Sequence, residues 1–226
     1  IIVDTSVFAE ANFDDVWPKM RAEAEMKSRE EPILGSYFHA TILNHDTFRG
    51  ALSFRLASKL DNPMLPTMLI RDVIEEAMDD DETILTNAEF DMLATYGRDP
   101  ACEDLSTPFL FFKGYHALQA YRISHWLWQN DRHTLAQFFQ SQISVGLGVD
   151  IHPAARIGRG IMLDHATGIV VGETAVIDDD VSITGAAHRE MPKASGEHSE
   201  SAIRPATEPA VRRRQRRRPP QASQQD

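Results

Sequence analysis

The sequence predicts an α + β fold in which a helical N-terminal domain leads into an incomplete parallel β-helix and then into a disordered C-terminal tail. Three observations carry this expectation. Apolar residues recur at three- and four-residue spacings from about Asp14 to Gln140, they recur every six residues from Ile151, and no period survives beyond Thr184.

Residues 1–12, which begin with Ile and not Met, are set aside as a leader outside the fold; their apolar part is too short, and lacks the basic residues, for a signal peptide. The helical domain is expected over residues 13–142. Glu31-Pro32, Asn62-Pro63 and Asp99-Pro100 punctuate it, since proline has no N–H and steers the residue before it out of the helical region. The clearest helix runs through TPFLFFKGYHALQAYRISHWLW. There Leu110, Gly114, Leu118, Tyr121, His125 and Trp128 lie three or four residues apart and define one inward face. Ser106 or Thr107 is expected to cap it, with Pro108 in the first turn.

Residues 143–184 read as the β-helix. Ile151, Ile157, Leu163, Ile169, Ala175 and Val181 fall six apart, and Ala154, Gly160, Ala166 and Gly172 form a second series of the same spacing. Each hexad makes one flat side, so three sides predict a coil of about 18 residues, with coils stacked about 4.8 Å apart. Only two coils fit between Val149 and Thr184, whereas solenoids usually need about three repeats and a cap. Residues 185–226 contain five prolines, no aromatic residue and the run RRRQRRR from Arg212 to Arg218, which predicts disorder.

Composition narrows the function classes. The one cysteine, Cys102, excludes an internal disulfide framework and a cysteine-based zinc site, which fits a reducing, cytoplasmic location. No apolar run approaches the roughly 18 residues of a membrane span. The net charge of −11 is uneven: residues 185–226 hold nine Lys and Arg against five Asp and Glu, leaving 14 basic and 29 acidic residues in the body. An acidic body argues against nucleic acid as a partner, because phosphate neutralisation needs clustered cations. The RRRQRRR run makes a basic-tail binding module an alternative function.

DIHPAARIGRGIMLDHATGIVVGETAVIDDDVSI, from Asp150 to Ile183, resembles the serine acetyltransferases, members of the hexapeptide-repeat acyltransferases. RDPA (Arg98 to Ala101) and KGYHALQAYRISHWLW (Lys113 to Trp128) extend the resemblance upstream. It implies a helical domain followed by a left-handed parallel β-helix, assembly as a homo-oligomer (trimers through the β-helix, hexamers through the helical domain), and transfer of acetyl from acetyl-CoA to the hydroxyl of L-serine. O-acetyl-L-serine and CoA are the products, at the head of cysteine biosynthesis, with free cysteine as feedback inhibitor. Acetyl-CoA is then a co-substrate, and no permanently bound cofactor is implied.

A serine hydroxyl is a weak nucleophile at neutral pH, so its attack on a thioester needs a general base, for which histidine suits. His165 in LDHATG matches the family's catalytic base, and Asp150 matches the carboxylate that orients it. On an 18-residue coil His165 would sit above position 147 and approach Asp150 round one corner. The substrate ammonium calls for carboxylate acceptors, and Asp99 in RDPA and Asp164 match those of the family. Asp-Pro is also a common turn pair, which gives Asp99 a purely structural reading as well. His116 and His125, nine apart, do not match a two-histidine metal pair, and no metal is expected. His39, His45 and His133 carry no role beyond surface or packing, and the residue pattern assigns none to His152 in DIHPA.

The sequence departs from the family past SIT. The glycine-rich GGTGK loop, the GDRHPKI segment whose Arg and second His contact serine in the family, and the further coils that bind CoA do not stand here. The terminal peptide ending in Ile that docks O-acetylserine sulfhydrylase is absent as well, since this chain ends Gln224-Gln225-Asp226. A change of reading frame or a truncation near Thr184 accounts for the switch in composition. Impaired catalysis is expected, with a catalytically inactive fragment that oligomerises through its helical domain as the alternative.

Overall fold

The computed structural model describes residues 15–185 and the backbone of residues 203–205. The leader and nearly all of the tail, including RRRQRRR, lie outside the described residues. Eight α-helices come first: α1 (Val16–Glu30), α2 (Gly35–Phe38), α3 (Phe48–Leu60), α4 (Thr67–Asp80), α5 (Thr83–Arg98), α6 (Ser106–Phe111), α7 (Lys113–Gln129) and α8 (His133–Leu147). A 3-10 turn at Pro32–Leu34 and a π-turn at His39–Leu43 flank α2. Each proline-marked break coincides with a helix end: α1 stops at Glu30, α3 at Leu60 and α5 at Arg98.

Apolar spacing sets which face each helix buries. Val16, Met20 and Ala24 line α1, Ile70, Ile74 and Ala77 line α4, and Ala136, Phe139, Ile143 and Leu147 line α8. Helix α7 is different, because every residue from Gly114 to Ser124 is buried. It runs through the middle of the molecule, and its polar residues are therefore paired: Ser124 Oγ donates to the Ala136 carbonyl at 2.8 Å, and Gln119 and Arg122 both reach Asp91 on α5.

The expected single helix from Ser106 to Trp128 is two. Phe112 (φ −86°, ψ 110°) breaks it, and the carbonyls of Phe109 and Leu110 are taken by side chains. His116 Nε2 meets the Phe109 carbonyl at 2.7 Å, while Tyr37 Oη (2.8 Å) and the Arg55 guanidinium donate to that of Leu110. The cap also differs from expectation. Asp104 accepts from Thr107 N–H at 2.9 Å, and Glu23 accepts from Ser106 N–H at 2.8 Å. Carboxylates beat the Ser and Thr hydroxyls here because they add charge to the hydrogen bond at a helix N-terminus.

Helix α8 continues to Leu147, past the expected end of the helical domain at residue 142, and stops at Gly148, whose φ of +70° makes a left-handed cap. Six short strands follow: β1 (Val149–Ile151), β2 (Arg156–Ile157), β3 (Met162–Asp164), β4 (Ile169–Val171), β5 (Ala175–Ile177) and β6 (Ser182–Thr184). β1 pairs with β4, β2 with β5 and β3 with β6, all parallel, which gives two stacked three-sided coils. In the segment expected to be disordered, β7 (Ile203–Pro205) is described as a strand antiparallel to β5.

The register corrects the coil length. Ile151 lies opposite Val171, Ile157 opposite Ile177 and Leu163 opposite Ile183, an offset of 20 residues rather than 18. Equivalent inward positions step by six except between Leu163 and Val171, where the chain takes two extra residues. The same step contains the turn from His165 to Gly168. One apolar cluster joins helices and coils, from Val16 through Leu118 and Tyr121 to Ile151, Leu163 and Ile177.

Candidate active site

The turn between β3 and β4 carries the chemistry-bearing residues. Asp164 closes β3, and Thr184 of the coil above pairs with it. His165 (φ 51°), Ala166 (φ 56°) and Gly168 (φ 80°) then take left-handed backbone conformations, uncommon for residues with side chains. Such strain persists only where surrounding structure holds it. Here Ala166 is fully buried, Gly168 N–H donates to the Gly148 carbonyl at 2.9 Å, and Lys113 Nζ donates to Thr167 Oγ1. Gly185 lies against the turn from the other side, where a Cβ would stand 2.9 Å from Thr167 N.

This anchoring presents the His165 side chain outward, 58% exposed, with Nε2 3.7 Å from Asp164 Oδ1. The Nε2 nitrogen therefore faces the Asp164 carboxylate at the mouth of the turn. Gly168 lies over Gly148, an offset of 20, so the turn overlies the junction of α8 and β1 but His165 is out of the 18-residue register that would set it above position 147. Asp150 stands in that β1 strand between the buried Val149 and Ile151, so its half-buried carboxylate points off the outer face, where it accepts from Gln140 Nε2 at 2.7 Å.

Asp99 lies at the C-terminal end of α5. Its Oδ1 accepts from Ala101 N–H at 2.8 Å, the turn geometry that an Asp-Pro pair favours. The neighbouring Arg98, 5% exposed, fixes this corner to both coils. It donates to the Gly160 carbonyl at 2.8 Å and to Asp180 Oδ1 at 3.1 Å. The structure thus brings Asp164 and His165 into direct contact and places Asp150 and Asp99 on elements tied to the same two coils.

The supporting roles of five residues escaped the sequence reading. Gln140 has no local signal. Lys113 and Gly114 stand in a quoted motif, but their purpose is visible only in three dimensions. A Cβ at Gly114 would lie 2.0 Å from the Leu163 carbonyl oxygen, so glycine alone lets α7 touch the strand that leads to Asp164 and His165. Asp91 is fully buried and accepts from Arg122 (2.7 Å), Gln119 (3.0 Å) and Ile161 N–H (2.9 Å). Burial raises its carboxyl above the usual range, opposed by the Arg122 charge and these hydrogen bonds. His125 Nδ1 lies 2.6 Å from the Pro153 carbonyl and so ties α7 to the corner after β1. Among the described residues no group of three His, Cys, Asp or Glu is placed to hold a metal ion, and no helix is long and apolar enough to cross a membrane.

Residues 16–120 match the family model described as serine acetyltransferase, N-terminal. The serine acetyltransferase of Salmonella typhimurium is 57% identical over 168 residues, which are 74% of this chain and 62% of that protein. The crystal structure of the serine acetyltransferase from Vibrio cholerae superposes with a TM-score of 0.75 at 56% identity, over 76% of this chain and 66% of that one. A serine acetyltransferase solved in complex with CoA matches with a TM-score of 0.74 at 55% identity, over 75% of this chain and 73% of that one. The chain spans 62% of the length of the Salmonella relative. Sequence identity at this level, the shared helical domain and the shared parallel coils place the chain in the serine acetyltransferase family.

Proposed function

We propose that the chain transfers acetyl from acetyl-CoA to the hydroxyl of L-serine, with His165 as general base, Asp150 as the carboxylate that orients it, and Asp99 and Asp164 as acceptors for the substrate ammonium. The observation that carries the proposal is the held turn at residues 165–168, which aims a histidine base at a neighbouring carboxylate at 3.7 Å. Neutral His165 removes the hydroxyl proton as the oxygen attacks the thioester carbonyl. The tetrahedral intermediate then collapses, the C–S bond breaks, and the imidazolium returns its proton to the departing CoA thiolate. Asp150 stabilises the imidazolium between these two steps.

The assembly we propose is a homo-oligomer in the cytoplasm, a trimer or a hexamer. The test is release of CoA thiol by the full chain with and without serine. Release that depends on serine, slow relative to a complete family member, is expected, and His165→Asn should lower it by roughly 100-fold or more. Equal release with and without serine overturns the proposal. It would favour a non-catalytic chain that only self-associates.

A further inference from the structure

We infer that Gln140 is a positioning residue for the reaction: it holds Asp150 in the one rotamer that lets the carboxylate orient His165. The inference rests on the reading of Asp150 and His165 given above. Helix α8 ends at the left-handed Gly148 and turns at once into β1, so Gln140 lies alongside Asp150 although it stands ten positions earlier in the chain. The amide Nε2 is 2.7 Å from Oδ1. An ionised carboxylate can only accept, which dictates that the nitrogen and not the oxygen of the amide faces it.

The choice of residue has a chemical logic. Asp150 is outward and half-buried on a strand whose flanking residues point inward, so a hydrogen bond to its carboxylate is a direct means of fixing its χ angles. One hydrogen bond to Oδ1 fixes them and leaves Oδ2 available to an imidazole N–H. A neutral amide achieves this without cancelling the negative charge. A lysine or arginine at position 140 would hold the rotamer equally well but would compete with the imidazolium that Asp150 has to stabilise. The contact also joins α8 to the junction that the His165 turn overlies through the Gly168–Gly148 bond, so both partners are referenced to one short segment.

The experiment is 15N NMR of the histidine rings in the full chain, with His165 assigned by its substitution. Wild type, Gln140→Met, Gln140→Glu and Asp150→Asn are compared, and serine-dependent CoA release is measured alongside. Rings His116 and His125, fixed by backbone carbonyls elsewhere, report that each variant is folded. In wild type, His165 is expected as one neutral tautomer, protonated on Nδ1. Gln140→Met should mix the tautomers and lower kcat by about 10-fold or more, with both KM values nearly unchanged. Gln140→Glu, whose carboxylate cannot donate to Asp150, should mix the tautomers at neutral pH as Gln140→Met does. An unchanged His165 ring in Gln140→Met, with a changed one in Asp150→Asn, overturns the role of Gln140 alone. An unchanged ring in Asp150→Asn removes the reading of Asp150 and this inference with it.

Discussion

His116 shows how a single side chain in this protein is put to structural use. Its Nε2 is 2.7 Å from the Phe109 carbonyl, which fixes the proton on that nitrogen, so Arg55 Nε at 3.4 Å is a packing contact and not a second hydrogen bond. Burial, together with the Arg55 charge, lowers its pKa to about 3. The sign follows from linkage. Above the ordinary histidine pKa both states are neutral there; below it the unfolded chain takes up a proton that the folded chain refuses. The stability that His116 contributes is therefore full above about pH 6.5 and falls as pH drops towards 3, with a limiting slope of about 1.4 kcal/mol per pH unit. Urea midpoints of wild type and His116→Gln at pH 7 and pH 5 check this: the variant, which keeps an N–H donor but cannot titrate, should lose less stability on acidification. The LDHATG motif set His165 apart from the other histidines without any structure. The capping duty of His116 was invisible in sequence, because the carbonyl it serves is freed only by the break at Phe112.

At the scale of elements, the coil of 20 residues explains why a strict period of six was misleading. Inward positions on each strand come in pairs two residues apart, such as Val149 with Ile151 and Ile169 with Val171. An insertion of two residues therefore moves the series from the second member of a pair to the first, and the spacing of six continues unbroken across it. Ile169, Ala175 and Val181 still face the core, but they are not the stacked equivalents of Ile151, Ile157 and Leu163. The inserted turn bears the candidate base, and its position depends on how closely α7 approaches β3. Gly114→Ala should push the two apart, because the new methyl would meet the Leu163 carbonyl oxygen at 2.0 Å. A loss of about 1–3 kcal/mol in denaturant stability is expected, the usual cost of overpacking. A larger proportional loss of serine-dependent CoA release should accompany it, because the next residues are Asp164 and His165.

Across the whole molecule, the helical domain and the coils share one core and a buried polar link. Asp91 on α5 accepts from Arg122 on α7 and from Ile161 N–H between β2 and β3, and Arg122 also donates to the Gly158 carbonyl at 2.8 Å. Removing one partner leaves an uncompensated buried charge. Asp91→Ala should therefore cost about 3–5 kcal/mol, and a joint replacement by Asp91→Leu and Arg122→Met should recover much of it. Equilibrium unfolding followed by tryptophan fluorescence, which reports the helices, and by far-UV CD checks both values. A single coincident transition is expected, because no boundary in the core separates the two parts.

The sequence by itself determined the order and type of the elements, the prolines that end helices, the passage from a helical to a hexapeptide period, and the LDHATG motif that forms the β3–β4 turn. All of these are written in local spacing or in contiguous motifs. Tertiary structure alone decided the break that splits α6 from α7, the 20-residue coil, the carboxylate caps from Glu23 and Asp104, and the contacts of Gln140, Gly114 and Asp91. Each depends on residues distant in the chain meeting at a few ångströms, where a carbonyl must find a donor and a buried charge must find a partner. Neither demand has a period that sequence reading can detect.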